Sequence, residues 1–207
     1  MLKRTKGRIL LTMLVITGLA GTINNSTLSN QERKFAVSQL KDTRTELLST
    51  IKKLSAKQLN FKSSPDSWSI GECISHISLT EKMLWDKLEL AMKQPANPEK
   101  RLELTFSDED LLKSMEGRSA NAAAPECLQP GKDRMQQVAD ALATFKSVRA
   151  AHLKYVKTTT EDLRNHFIQL PIGWIDCYQA IIFMASHSNR HISQINEILA
   201  NPRFPKK

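Results

Sequence analysis

The sequence predicts an all-α protein: a four-helix bundle in up-down-down-up order, with a long crossover between helices two and three. Three observations carry this. Glycine is scarce, 7 in 207 residues, while straight-chain helix formers abound. Four segments place apolar residues at spacings of three and four, the helical period. The segment 94–132, between the second and third of these, is long enough to cross the bundle end to end, which lets helices two and three run parallel. The length suits one domain with a sizeable core, and 41% hydrophobic with 25% charged residues is a globular composition.

Residues 1–23 read as a signal peptide or N-terminal membrane anchor. Lys3, Arg4, Lys6 and Arg8 precede an apolar run from Ile9 to Ile23, short for a spanning helix. Gly18 and Ala20 supply small residues at −3 and −1 of a cut after Ala20. A polar linker, 24–30, leads to the body, 31–207. Helix one is expected over about 31–57, with Leu40, Leu47, Ile51 and Leu54 on one face. Helix two is expected over about 70–93, with Ile70, Ile74, Ile77, Leu84 and Leu88 inward. Its start is well marked: Ser69 and Glu72 form a capping box, Trp68 can pack on Cys73 as a staple, and Pro65 marks the preceding turn. The crossover holds Pro95, Pro98, Pro125 and Pro130, and Ser107 to Asp110 read as the cap of a short helix leading into Leu111 and Leu112. Helix three is expected over about 133–157, with Val138, Leu142, Phe145 and Val148, and helix four over about 175–200, with Cys177, Ile181, Met184, Ile195 and Ile198. There is no internal repeat.

The net charge of +9 owes four charges to the basic head. In the body, bases alternate with acids and no basic stripe carries interleaved aromatics, so no nucleic-acid partner is expected. The head predicts export to the periplasm or exterior, or an outward-facing anchored protein that meets the membrane only through an uncleaved head. Cys73, Cys127 and Cys177 are too few and too scattered for a disulfide framework; buried free thiols are the default reading.

Of five histidines, His187 and His191 stand four apart, one turn apart on one face of helix four. Imidazoles on or beside a core-facing stripe are costly unless their nitrogens find partners, and a metal ion satisfies several at once. His76 lies about 10 Å into helix two, and His191 about 13 Å from the end of helix four, at 1.5 Å per residue. If those helices are antiparallel, all three histidines share one level. Three imidazoles with an open position suit a divalent metal, Zn²⁺ or Ni²⁺ first, with Fe²⁺ also able to accept them.

Trp68-Ser69-Ile70-Gly71-Glu72 leading to His76, and His187 through Ile195, resemble the two hallmark stretches of the DinB/YfiT-like superfamily, with a likeness covering about residues 33–200. The resemblance implies the up-down-down-up bundle and a metal held by one histidine of helix two and two of helix four, which here are His76, His187 and His191. It also implies one of two chemistries, transfer of low-molecular-weight thiols such as bacillithiol or mycothiol, or metal-assisted hydrolysis. Many members have no assigned reaction, and many dimerise, so a homodimer is allowed. Thiol transfer draws on cytosolic cofactors, and the expected export of this chain weighs against it.

The leading expectation is therefore a metal-dependent enzyme of hydrolase type, with a metal-bound water as nucleophile and an unidentified small-molecule substrate. The alternatives are a thiol S-transferase of the DinB-like type and a non-catalytic exported bundle that binds metal or a partner. No residue stands out as general base. Asp66 and Asp176 are candidates, but turn and first-turn acids are common enough to explain both. Glu72, Gln194 and His152 are candidates to support the site from behind the ligands. Each also has a plain role: helix cap, polar helix-edge contact, and hydrogen-bonded boundary histidine. Cys73 as a thiolate ligand competes with an apolar-face thiol. Trp68, Trp85 and Trp174 either line a substrate mouth or pack the core. His166 reads as surface.

Overall fold

The computed structural model describes residues 27–116, 125, 128–129 and 134–206. The segment 1–23, the first part of the linker and Cys127 lie outside the described residues. The linker's end already belongs to the body: Leu28 is buried, and Ser29 caps helix α1 (Asn30–Ile51). The Ser29 hydroxyl accepts from Glu32 N at 3.2 Å, and the Glu32 carboxylate accepts from Ser29 N at 2.8 Å.

The expected first helix breaks at Ile51. Ser55 opens a new one-turn helix, α2 (Ala56–Leu59), with its own capping box to Gln58. A hydroxyl that serves amides ahead of it favours a helix start over a helix interior, which is why the segment does not run on to residue 57. Helix α3 (Ile70–Met92) begins with the Ser69–Glu72 box. The crossover contains a 3₁₀ turn (Pro98–Glu103) and the expected short helix, α4 (Asp108–Glu116), where Ser107 Oγ accepts from Asp110 N at 3.1 Å. Helix α5 spans Arg134–Thr158.

An antiparallel hairpin, β1 (Phe167–Leu170) and β2 (Gly173–Asp176), precedes the last helix, α6 (Cys177–Leu199). It adds a small two-stranded sheet to the all-α bundle and moves the start of the fourth long helix from residue 175 to 177. Pro171 suits the first central position of the two-residue turn. Gly173, at φ +121°, takes a backbone conformation that other residues rarely adopt. Ile168 and Leu170 face inward, and Asp176 ends the strand as N-cap of α6, accepting from Gln179 N at 2.7 Å.

Contacts between helices fix their directions. Arg33, early in α1, donates to Val156 O and Thr159 O at the end of α5, so α1 and α5 are antiparallel. Gly71 faces Val138, Glu81 pairs with Arg149 and Trp85 meets Tyr155, so α3 and α5 run parallel. Tyr178 Oη donates to Glu32 O, which sets the starts of α6 and α1 side by side. The four long helices thus run up, down, down, up, with α1 and α3 each packed between α5 and α6.

The core falls into two apolar halves. One gathers Leu40, Leu84, Leu88, Val156, Ile181 and Met184; the other gathers Leu47, Ile74, Ile77, Phe145, Ile192 and Ile195. Between them lies a polar layer of Thr43, Glu81, Arg149, His152 and Ser188, all buried. At the hairpin end, Arg164 collects Glu32 of α1, Asp108 of α4 and Asp176 of α6, and its guanidinium lies 4.0 Å from the Tyr178 ring centroid. Cys73 and Cys177 are buried, and burial beside Asp176 pushes the Cys177 thiol up to about 12. Among the described residues no helix is long and apolar enough to cross a membrane.

Candidate metal centre

The capping box on Ser69 starts α3 so that its seventh residue, His76, faces α6 about two turns past Trp68. On α6, His187 and His191 meet it. The Nε2 of His187 lies 3.2 Å from Nε2 of His76 and 3.3 Å from Nε2 of His191. His76 and His191 are buried and His187 is half-buried. Trp68 covers the group, its ring centroid 4.7 Å from that of His76 and 5.9 Å from that of His191. Phe183 stacks on His187 from the other side, 5.9 Å between centroids.

The tautomers follow from the partners behind the rings. His76 Nδ1 lies 2.8 Å from Leu128 O, and His191 Nδ1 lies 3.0 Å from Gln194 Oε1. A carbonyl oxygen only accepts, so each Nδ1 carries the proton and each Nε2 in the neutral ring offers a lone pair. Both lone pairs point toward Nε2 of His187. Burial lowers the pKa of His76, and burial with the charges of His191, His76 and Arg190 holds His187 well below the usual imidazole range, so neutral rings are the stable form. Two imidazole nitrogens, each about 2.0–2.1 Å from one tetrahedral ion, stand about 3.3 Å apart. The observed spacings match that value, and the carbonyl partners are those that orient metal-ligating histidines. The three-histidine set fits a divalent metal.

The other expected residues separate. Gln194 stands beside the centre, its Oε1 3.0 Å from His191 Nδ1. Glu72 returns its carboxylate to Ser69 N and pairs with Lys62, which draw it below the usual carboxylate range against the effect of burial. Its role is the helix cap. His152 belongs to the polar layer rather than to the centre: its Nδ1 donates to Glu81 Oε1 at 3.0 Å and its ring stacks on Trp85 at 3.9 Å. Cys73 lies in the core half of Leu47, Ile74 and Phe145. Asp176 is a buried cap, and Trp174 carries Lys100 over its ring. His166 is bound at both nitrogens, to Asp162 O and Gln94 O, and joins the crossover to the loop before the hairpin. Sequence reasoning missed the Leu128 carbonyl, which has no side-chain signature, and Phe183, which reads as ordinary core.

A sequence model of the DinB superfamily matches residues 39–195. This chain belongs to the DinB superfamily. Among relatives, YuaE of Bacillus subtilis (strain 168), a protein described as uncharacterized, is 29% identical over 169 residues, 76% of this chain and 93% of its own. Among solved structures, YfiT from Bacillus subtilis aligns with a TM-score of 0.57 at 14% identity, over 84% of this chain and 89% of that one. YfiT is described as a probable metal-dependent hydrolase with an unusual four-helix bundle topology. At that identity the likeness establishes a shared four-helix bundle fold.

Proposed function

We propose that this DinB-superfamily protein is a metal-dependent enzyme of hydrolase type whose divalent cation is held by His76, His187 and His191. The observation that carries the reading is the convergence of three imidazoles, with Nε2 of His187 at ligand spacing from Nε2 of each of the other two, whose Nδ1 atoms face Leu128 O and Gln194 Oε1. The description of YfiT as a metal-dependent hydrolase supports it. A divalent cation in such a site supplies Lewis acidity and a nucleophile drawn from water at neutral pH.

The chain's own groups do the rest. Leu128 O and Gln194 fix the planes of the two buried rings. Trp68 and Phe183 shut water from two sides of the imidazoles, which strengthens charge interactions within. His187 is the least buried of the three rings, so a small substrate would approach the centre past it. Export through residues 1–23 belongs to the same reading and favours hydrolysis over transfer of a cytosolic thiol.

The test is metal content of the purified body, residues 24–207, by inductively coupled plasma mass spectrometry, beside a His187→Ala/His191→Ala variant. About one metal per chain in the parent and none in the variant is expected, and hydrolytic screening follows with that metal. A parent that takes up neither Zn²⁺ nor Ni²⁺ when supplied overturns the proposal.

A further inference from the structure

Arg149 is fully buried at the middle of α5. All of its reach is spent within the layer that divides the core. Nε donates to Glu81 Oε1 and Nη2 to Glu81 Oε2, both at 2.6 Å, a bidentate fork onto α3. Nη1 donates to Leu40 O at 3.0 Å and to Thr43 Oγ1 at 2.8 Å, both on α1. Nη2 also donates to Ser188 Oγ at 2.9 Å, on α6. One guanidinium therefore touches all three other long helices. Burial opposes the Glu81 charge, but Arg149 and His152 outweigh it and hold the carboxyl below its usual range.

The layer lies beside the histidine centre on both helices that build it. Glu81 follows His76 by five residues on α3, and Ser188 follows His187 directly on α6. Above and below, the facing surfaces are apolar, and apolar faces resist an axial slip weakly because one aliphatic contact replaces another. A slip of one helical turn, about 5.4 Å, would carry His76 out of reach of His187 and His191. It would also strand the Glu81 carboxylate or the Arg149 guanidinium in a dry core. Buried polar groups of this kind are best attested as devices that set register.

We infer that Arg149 is a positioning residue for the histidine centre: its fork to Glu81 and its arm to Ser188 set the axial register of α3 against α6, and with it the spacing of the three Nε2 atoms. The inference rests on the metal reading above. It assigns no chemistry to Arg149.

Co²⁺ is the probe, because its visible bands report ligand number and symmetry as well as occupancy. Two variants are compared with the parent. Ser188→Ala cuts only the arm to α6; the Ser188 hydroxyl otherwise donates to Met184 O of its own helix, so the change leaves a folded bundle. Arg149→Met/Glu81→Leu/His152→Phe replaces the charged layer by apolar groups of similar volume, a change that often leaves stability equal or higher. Both are expected to bind Co²⁺ about tenfold more weakly, with altered visible bands, while melting temperatures without metal stay close to the parent's or rise. Parental Co²⁺ affinity and bands in Ser188→Ala overturn the inference, even if the triple variant fails to fold. Loss of affinity only in proportion to lost stability does so too, since that is the signature of a merely structural layer. A parent with no Co²⁺ bands removes the metal reading, and this inference with it.

Discussion

Gly71 sits in the first turn of α3, against Val138 of α5. A Cβ built there would stand 2.6 Å from Val138 Cγ2 and 3.4 Å from Leu59 O. Gly71→Ala therefore sets two effects against each other. Replacing glycine by alanine in a helix is worth up to about 1 kcal/mol. Forcing a methyl against a stiff β-branched side chain costs about 1–3 kcal/mol. The steric effect wins, and Gly71→Ala is expected to lose about 1 kcal/mol, or about 2–4 °C in a chain of this size. In a Val138→Ala background the obstructing methyl is gone, and the same change should become neutral or stabilising. Urea unfolding of the parent, both single variants and the double variant, followed by tryptophan fluorescence, measures this coupling. If Gly71→Ala shifts stability by the same amount in both backgrounds, close approach of α3 to α5 is not what demands glycine here.

Four further outcomes follow from the described groups. Arg149→Ala leaves the Glu81 carboxylate buried with its main partner gone; a loss of about 3–5 kcal/mol is expected in urea unfolding, and a loss under 1 kcal/mol contradicts the buried fork. Burial raises Asp176 from 3.8 to about 6 despite Arg164, so between those values the folded protein keeps a proton that the unfolded chain has lost. That stabilisation is full below about pH 4 and fades as pH rises to about 6. Asp176→Asn keeps the cap acceptor and binds no proton, so parent stability should fall relative to the variant across that window, and a flat difference refutes the assignment. His76 and His187 are shifted the other way: below about pH 6.5 the unfolded chain takes up protons that the folded rings refuse, so the metal-free protein should weaken as pH falls. At neutral pH, Zn²⁺ at 100 times its dissociation constant should raise stability by about 2.7 kcal/mol, a shift that His187→Ala abolishes in a thermal melt.

The parts of the fold that follow a period were legible in the sequence. The long helices and the short crossover helix showed as apolar spacing and caps, and the three histidines as inward positions on two helices of matching depth. The boundaries that escaped are those decided by local competition. Ser55-x-x-Gln58 and Asp176-x-x-Gln179 are capping boxes as readable as Ser69-x-x-Glu72, but each lay inside or beside a segment already periodic as helix. The hairpin escaped because its strands are four residues long and hold their pairing against Thr105 and the cap of α6, a tertiary setting. The polar layer left a trace that went unread: Glu81 falls in the inward series Ile74, Ile77, Leu84, Leu88, and Arg149 follows Phe145 by four. A lone acid on one inward face and a lone base on another are a pair waiting for a fold to join them. The Leu128 carbonyl left none, since a backbone oxygen has no identity in sequence.

The direction of the helices also governs how the chain reaches this state. α1 and α3 close against partners that are made last: from α1, Arg33 reaches Val156 across 123 residues and Glu32 reaches Arg164 across 132, and from α3, His76 meets His187 across 111. An up-and-down bundle zips neighbouring helices through short loops and folds fast for that reason. Here the productive pairings are non-local, so loop closure is spent before any of them is made. Folding should be slow for a helical protein, and during synthesis α1 has no lasting partner until α5 leaves the ribosome, with α6 following. The histidine centre, built from α3 and the last helix, is then among the final features to form.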